Sequence, residues 1–233
     1  MVSLSITGVF YILLSFGLAV FAHRVFNYWQ SKKNNQFSQA FFYFFVVFSV
    51  ASFVIGWQSL LGHNSDLAKL LALARDILFS IGCLFLAYLI LRIKFPKTNP
   101  CFGVVPIAIL GLSVTVLNFY QGQPVITQTG GVDLGLTPMG NLLLFLLFLI
   151  TFVPMGIILF NQSRTSKSNF LQTKLFSFSM VAFGGFTLAL IESILEPFLN
   201  LEETLLNEYA LMILTGIVFA FLYFTRNKLQ TWQ

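Results

Sequence analysis

Seven stretches of predominantly apolar residues, each bounded by charged or turn-forming residues, divide the chain at approximately 4–22, 37–61, 67–91, 102–120, 141–160, 175–198 and 205–225. Each is close to the about 20 residues that a helix needs to cross a hydrocarbon layer of about 30 Å. The pattern predicts an all-α membrane protein, a seven-transmembrane helix bundle forming a single domain over residues 1–233. Because the stretches take up most of the chain, no second globular domain is expected, and output should pass through a partner or the bilayer. Pro106 and Pro154 lie inside stretches and should kink them, whereas Pro197 should close the sixth.

The connections are short except for residues 121–140, where β-favouring residues flank Gly130-Gly131. Two glycines between such runs suit a tight turn. The expectation is a short external β-hairpin between spans four and five, lying over the helix ends with Asp133 on its second strand.

Composition names the solvent. Of 233 residues, 57% are apolar and 9% charged, and the mean hydropathy is +0.85, whereas a soluble domain is about a quarter charged. Charge then gives orientation, since basic residues near span ends are retained on the cytoplasmic side. Arg24, Lys32, Lys33, Arg92, Lys94, Lys97, Arg164, Lys167, Lys174, Arg226 and Lys228 fall in alternate connections and the tail, 11 of the 13 basic residues. The opposite side holds Lys69 and Arg75 with all eight acidic residues: Asp66, Asp76, Asp133, Glu192, Glu196, Glu202, Glu203 and Glu208. The N-terminus is therefore expected outside and the C-terminus in the cytoplasm; a plasma membrane of the bacterial inner-membrane kind is expected only by analogy with prokaryotic proteins of this plan, since an organelle membrane gives the same charge asymmetry. Residues 1–8 carry no basic cluster, so the first span should stay in place rather than be cleaved.

The same distribution excludes several chemistries. The +5 net charge is scattered and builds no basic face, so no nucleic-acid partner is expected. Cys83 lies mid-span and Cys101 near the cytoplasmic face, which makes a structural disulfide improbable. The seventh span holds no lysine for a retinal Schiff base, and His23 and His63 lie at opposite faces, so they cannot pair across a haem. His63 with Asp66 and Glu196 is a poor metal set. No cofactor or metal is expected. Outer carboxylates could act as acid and base in a lipid-modifying enzyme, but no nucleophile or metal completes that set, and the chain reads as a non-enzyme.

Ionisable groups inside a bilayer are costly and mark candidate sites. Arg75 and Asp76 in span three and Glu192 in span six lie in the outer third. Successive helical residues point about 100° apart, so Arg75 and Asp76 are expected to seek separate partners, with Glu192 at the right depth for Arg75. Snorkelling to the outer headgroups is the alternative for Arg75. With Trp57, Gln58, Asn118, Tyr120 and Glu196, these residues form the candidate lining of an outward-facing cavity, capped by the hairpin and suited to a cation or small polar ligand. Trp57 and Tyr120 also fit an interfacial aromatic belt.

Small and polar residues recur at helical spacing: Ser49, Ser52, Gly56 and Ser59; Lys69, Ala72, Asp76, Ser80, Cys83 and Ala87; Ala182, Gly185, Ala189, Glu192 and Glu196; and Tyr209, Met212, Gly216, Ala220 and Tyr223. Such stripes let helices approach closely in lipid, and Gly56, Gly185 and Gly216 are read as packing positions. Gly184-Gly185 would be the flexible point of span six.

The external N-terminus, the run Phe85-Leu86-Ala87-Tyr88-Leu89-Ile90-Leu91-Arg92, the insert after span four and the basic start of span six together resemble the seven-transmembrane sensory region of bacterial histidine kinases. That resemblance implies ligand reception. No dimerisation helix or kinase follows in this chain, so it implies output through a separate cytoplasmic or membrane signalling partner. The competing expectation is a small solute, ion or proton transporter using Asp76 and Glu192, although no inverted repeat is visible.

Overall fold

The computed structural model describes residues 6–31, 36–61, 65–126, 132–135, 137–166, 169–195 and 205–226. Helices form wherever the apolar runs lie, because a backbone without water must satisfy its polar groups internally. They are α1 (Ile6–Ser31), α2 (Gln36–Leu61), α3 (Ser65–Lys94), α4 (Cys101–Gln121), α5 (Pro138–Thr165), α6 (Asn169–Leu190) and α7 (Leu205–Arg226). A π-helical turn, Ile191–Leu195, continues α6. Several helices outrun their apolar stretches. Arg24, expected in a connection, lies within α1, where its Nη2 donates to the Leu222 carbonyl of α7 at 3.2 Å.

Six of these helices are long and apolar enough to cross a membrane, which fits a multi-pass membrane protein. The seventh helix, Leu205–Arg226, shows an apolar stretch over Glu208–Tyr223 among the described residues.

Consecutive helices pack against one another from α1 to α7, and α7 returns to α1. Direct contact between α3 and α5 leaves α4 on the outside, held by those two neighbours. Pro106 and Pro154 sit inside α4 and α5, which run on as helix through both. Thr137 caps α5, its Oγ1 accepting from Gly140 N–H at 3.1 Å, and Pro138 takes the first turn, where its missing N–H costs nothing.

Between α4 and α5 two strands, β1 (Gln123–Ile126) and β2 (Val132–Gly135), pair antiparallel, with Val125 opposite Asp133 and Ile126 opposite Val132. They lie against α3, and β2 also against α2, at the end of the bundle where α4 stops and α5 starts. Gly130-Gly131, Pro197 and His63 fall outside the described residues.

In lipid the hydrophobic effect does not drive helices together, so close approach and shape decide which faces meet. Phenylalanine does much of this. Phe21 of α1 stacks on Phe45 of α2 and Phe221 of α7 at 5.4 and 5.0 Å, and Phe178 of α6 touches both Phe45 and Phe221 at 5.5 Å. A second group joins α2, α3 and α5 through Phe48, Phe79, Phe148 and Phe152, with centroid distances of 4.9–5.5 Å. Such pairs contribute about 0.5–1.5 kcal/mol each beyond area burial.

The small-residue stripes resolve unevenly. A Cβ on Gly56 would lie 2.8 Å from the Gly8 carbonyl oxygen, so α1 and α2 cross there backbone to backbone. About two turns further, Ser49 Oγ donates to the Ser15 carbonyl at 2.9 Å. Gly185 meets Phe152 and Gly184 meets Leu214, so this pair is a packed surface inside continuous helix rather than a flexible point; departure from α geometry comes later, at the π turn. The α7 stripe is reversed. Tyr209, Met212 and Tyr223 are exposed and nothing lies within 4 Å of a Cβ on Gly216, while Leu211, Leu214, Val218, Phe221 and Leu222 face inward.

Candidate functional site

The polar junction begins with Asp76. Residues Ala72, Asp76 and Cys83 share the buried face of α3, and α4 presents Ile107, Gly111, Val114, Thr115 and Asn118 to the interior. A Cβ on Gly111 would lie 2.6 Å from Ser80 Cβ, so the two helices approach closely one turn from Asp76. That approach brings Asn118 to the carboxylate. Asn118 Nδ2 donates to Asp76 Oδ2 at 2.6 Å.

The other carboxylate oxygen is taken from an unexpected direction. Arg75 Nε donates to Asp76 Oδ1 at 3.1 Å, which corrects the expectation that neighbouring residues would not pair. The 100° offset separates their Cβ atoms, but the arginine stem is long enough to fold back, and Nε lies short of the guanidinium tip. Asp76 and Asn118 are each 1% exposed. A desolvated carboxylate is tolerated only with such partners.

A third helix completes the junction. A Cβ on Gly140, in the first turn of α5, would lie 2.6 Å from Asn118 Oδ1. The amide thus reaches from α3 to the start of α5, and its Oδ1 is buried with no hydrogen-bond donor among the described residues. Ser80 Oγ donates to the Asp76 carbonyl at 2.8 Å, and Thr115 Oγ1 to the Gly111 carbonyl at 3.0 Å, so the hydroxyls beside the junction turn to their own helices.

Of the eight candidate lining residues, Arg75, Asp76 and Asn118 come together. Gln58 is buried on α2. Trp57 and Tyr120 are 46% and 77% exposed and sit against Phe53 and Phe119 on the outer surface, as belt aromatics do. Glu192 lies in the π turn, its side chain outside the described residues, and Glu196 lies outside them altogether.

Two polar contacts were not foreseen. Thr7 Oγ1 donates to Glu208 Oε1 at 3.1 Å, tying the start of α1 to the start of α7. Buried Ser179 donates to the Gly156 carbonyl at 2.9 Å between α5 and α6. Threonine and serine are too frequent in these runs for sequence to single out such pairs. No protein-family model, curated protein or solved structure matches the chain, so the geometry of the junction itself carries the functional reading.

Proposed function

We propose that the chain is a non-enzymatic, receptor-like protein of a bacterial-type plasma membrane, with its N-terminus outside and its C-terminus in the cytoplasm. In this reading its acidic end senses a cation or small polar ligand, and the basic end reports to a separate partner. The observation that supports it is the Asp76–Asn118 contact. A buried carboxylate divided between its own helix and the outermost helix of the bundle is a latch: a ligand competing for either group frees α4 from α3. Among the six membrane-length helices α4 buries the smallest share of its residues, so of these it has least to lose by moving. The likeness to kinase sensory regions agrees with this assignment, and the positive-inside asymmetry sets its direction.

A transporter built on Asp76 and Glu192 is the competing function. Both oxygens of Asp76 are engaged by the chain's own donors, which favours a latch over a group exchanging ions with water. The test uses spin labels at exposed Leu112 of α4 and Ile213 of α7 in liposomes. Asp76→Asn should shift or broaden the distance distribution, and sodium or magnesium titration should move the wild type in the same direction. An unchanged distribution in the variant would remove the latch. A sodium or proton current in proteoliposomes that Asp76→Asn abolishes would replace reception by transport.

A further inference from the structure

The opposite end of α3 carries a site of different sign. A cavity of about 180 Å³ lies between the start of α2 and the end of α3, lined by Gln36, Phe37, Tyr88, Arg92 and Pro96. The Arg92 guanidinium carbon stands 5.5 Å from the centre of the Tyr88 ring, and Tyr88 Oη donates to Gln36 Oε1 at 3.3 Å. The arginine is therefore positioned by a ring that is itself tied to the next helix. Its Nε is buried and has no hydrogen-bond partner among the described residues. No acidic residue occurs between positions 1 and 65 or between 77 and 132, and the two acids of α3, Asp66 and Asp76, sit toward its other end, so the stretches lining the cavity supply no counter-charge. Exposed Lys94 and Lys97 add positive potential, as does the N-terminal end of α2 through its helix dipole.

The wall is preformed. Phe95 N–H donates to the Leu91 carbonyl and Thr98 N–H to that of Phe95, at 2.7 and 3.0 Å. Asn99 Oδ1 then accepts from Cys101 N–H at 3.0 Å, so the turn between α3 and α4 is held by its own bonds. Phe95 and Phe102 are exposed beside it. A fixed, uncompensated guanidinium next to bare aromatic surface at the end of a membrane helix is matched by a ligand with an anionic head and an apolar tail.

We infer that this groove binds the phosphate headgroup of an anionic phospholipid, with Arg92 as the principal contact, Gln36 Nε2 as a second donor, and Phe37 and Pro96 against the glycerol and upper acyl chains. A soluble phosphate ester shares the anionic chemistry but makes no use of the aromatic apron. The site depends on the chain lying in a membrane and not on its being a receptor.

The test is native mass spectrometry of the full chain from nanodiscs holding equal phosphatidylglycerol and phosphatidylcholine. Wild type should retain phosphatidylglycerol in preference. Arg92→Gln should reduce that preference about fivefold, the effect of one basic side chain at an anionic membrane surface. Arg164→Gln, which removes an exposed arginine from the end of α5, should leave it unchanged. Equal retention of the two lipids by wild type overturns the inference without requiring any variant to fold, and so does an undiminished preference in Arg92→Gln. Displacement of the lipid by millimolar sn-glycerol 1-phosphate would assign the groove to a soluble ester and overturn the lipid.

Discussion

Cutting the latch between α3 and α4 has a cost that can be worked from its geometry. Asn118→Ala removes the donor 2.6 Å from Asp76 Oδ2 and leaves that oxygen in a junction sealed from solvent. Breaking a buried ion pair outright costs about 3–5 kcal/mol, but that figure is too large here, because Arg75 Nε still holds Oδ1. Polar contacts between membrane helices average about 0.6 kcal/mol and reach about 1.7, because the unfolded helix finds other partners in the bilayer. Hydrogen bonds to charged groups lie at about 1.5–3 kcal/mol. The short, charge-assisted contact belongs where these ranges meet, and a loss of about 1.6 kcal/mol, or about fifteenfold in the unfolding constant, is expected. The measurement is a double-mutant cycle of Asp76→Ala and Asn118→Ala, unfolded with dodecyl sulfate in mixed micelles and followed by helical circular dichroism. A coupling energy of about 1.5 kcal/mol or more is expected, whereas additivity within about 0.5 kcal/mol would mean that the two groups are merely adjacent.

Two glycines expected to behave alike should separate. Gly56→Val should destabilise by about 1–3 kcal/mol, since its new carbons meet the Gly8 backbone and Ile12. Gly216→Ala, with open space around it, should be neutral or stabilising by up to about 1 kcal/mol in the same unfolding assay. Exposed Cys101 should react with a maleimide while Cys83, fully buried, stays unlabelled in the folded chain. In the proposed orientation, a membrane-impermeant maleimide should reach Cys101 only in opened cells; labelling in intact cells would invert the topology. Ser49→Ala should cost about 0.5–1 kcal/mol by losing the bond to the Ser15 carbonyl, and a larger loss would indicate a wider polar network between α1 and α2.

Apolar run length placed the helices, because lipid demands continuous hydrogen bonding and apolar cover, and both are visible residue by residue. The internal face of each helix was harder to read. In α3 a lone carboxylate marked it, since Asp76 has nowhere else to go. In α7 both faces are apolar and the small-residue stripe around Gly216 turned outward, because bulky Leu211, Val218 and Phe221 fill the seam with α1 and α6 instead. Asn118 was recognisable as a polar residue at a suitable depth, but its role as the partner of Asp76 depends on how closely Gly111 lets α4 approach. The Arg75–Asp76 pairing escaped an argument based on Cβ directions, which says little about a side chain with four rotatable bonds. The phenylalanines were legible only as hydrophobicity, because ring-on-ring geometry is a property of the assembled bundle.

The return of α7 to α1 has a bearing on synthesis. Glu208 and the Leu222 carbonyl, which accept from Thr7 and Arg24, lie about two hundred positions further along the chain. As the polypeptide emerges, the first helix must wait with one flank against acyl chains until the last arrives to cover it. Insertion order and final neighbourhood therefore run opposite ways, and the seam between the two terminal helices is the last part of the barrel of rods to be sealed.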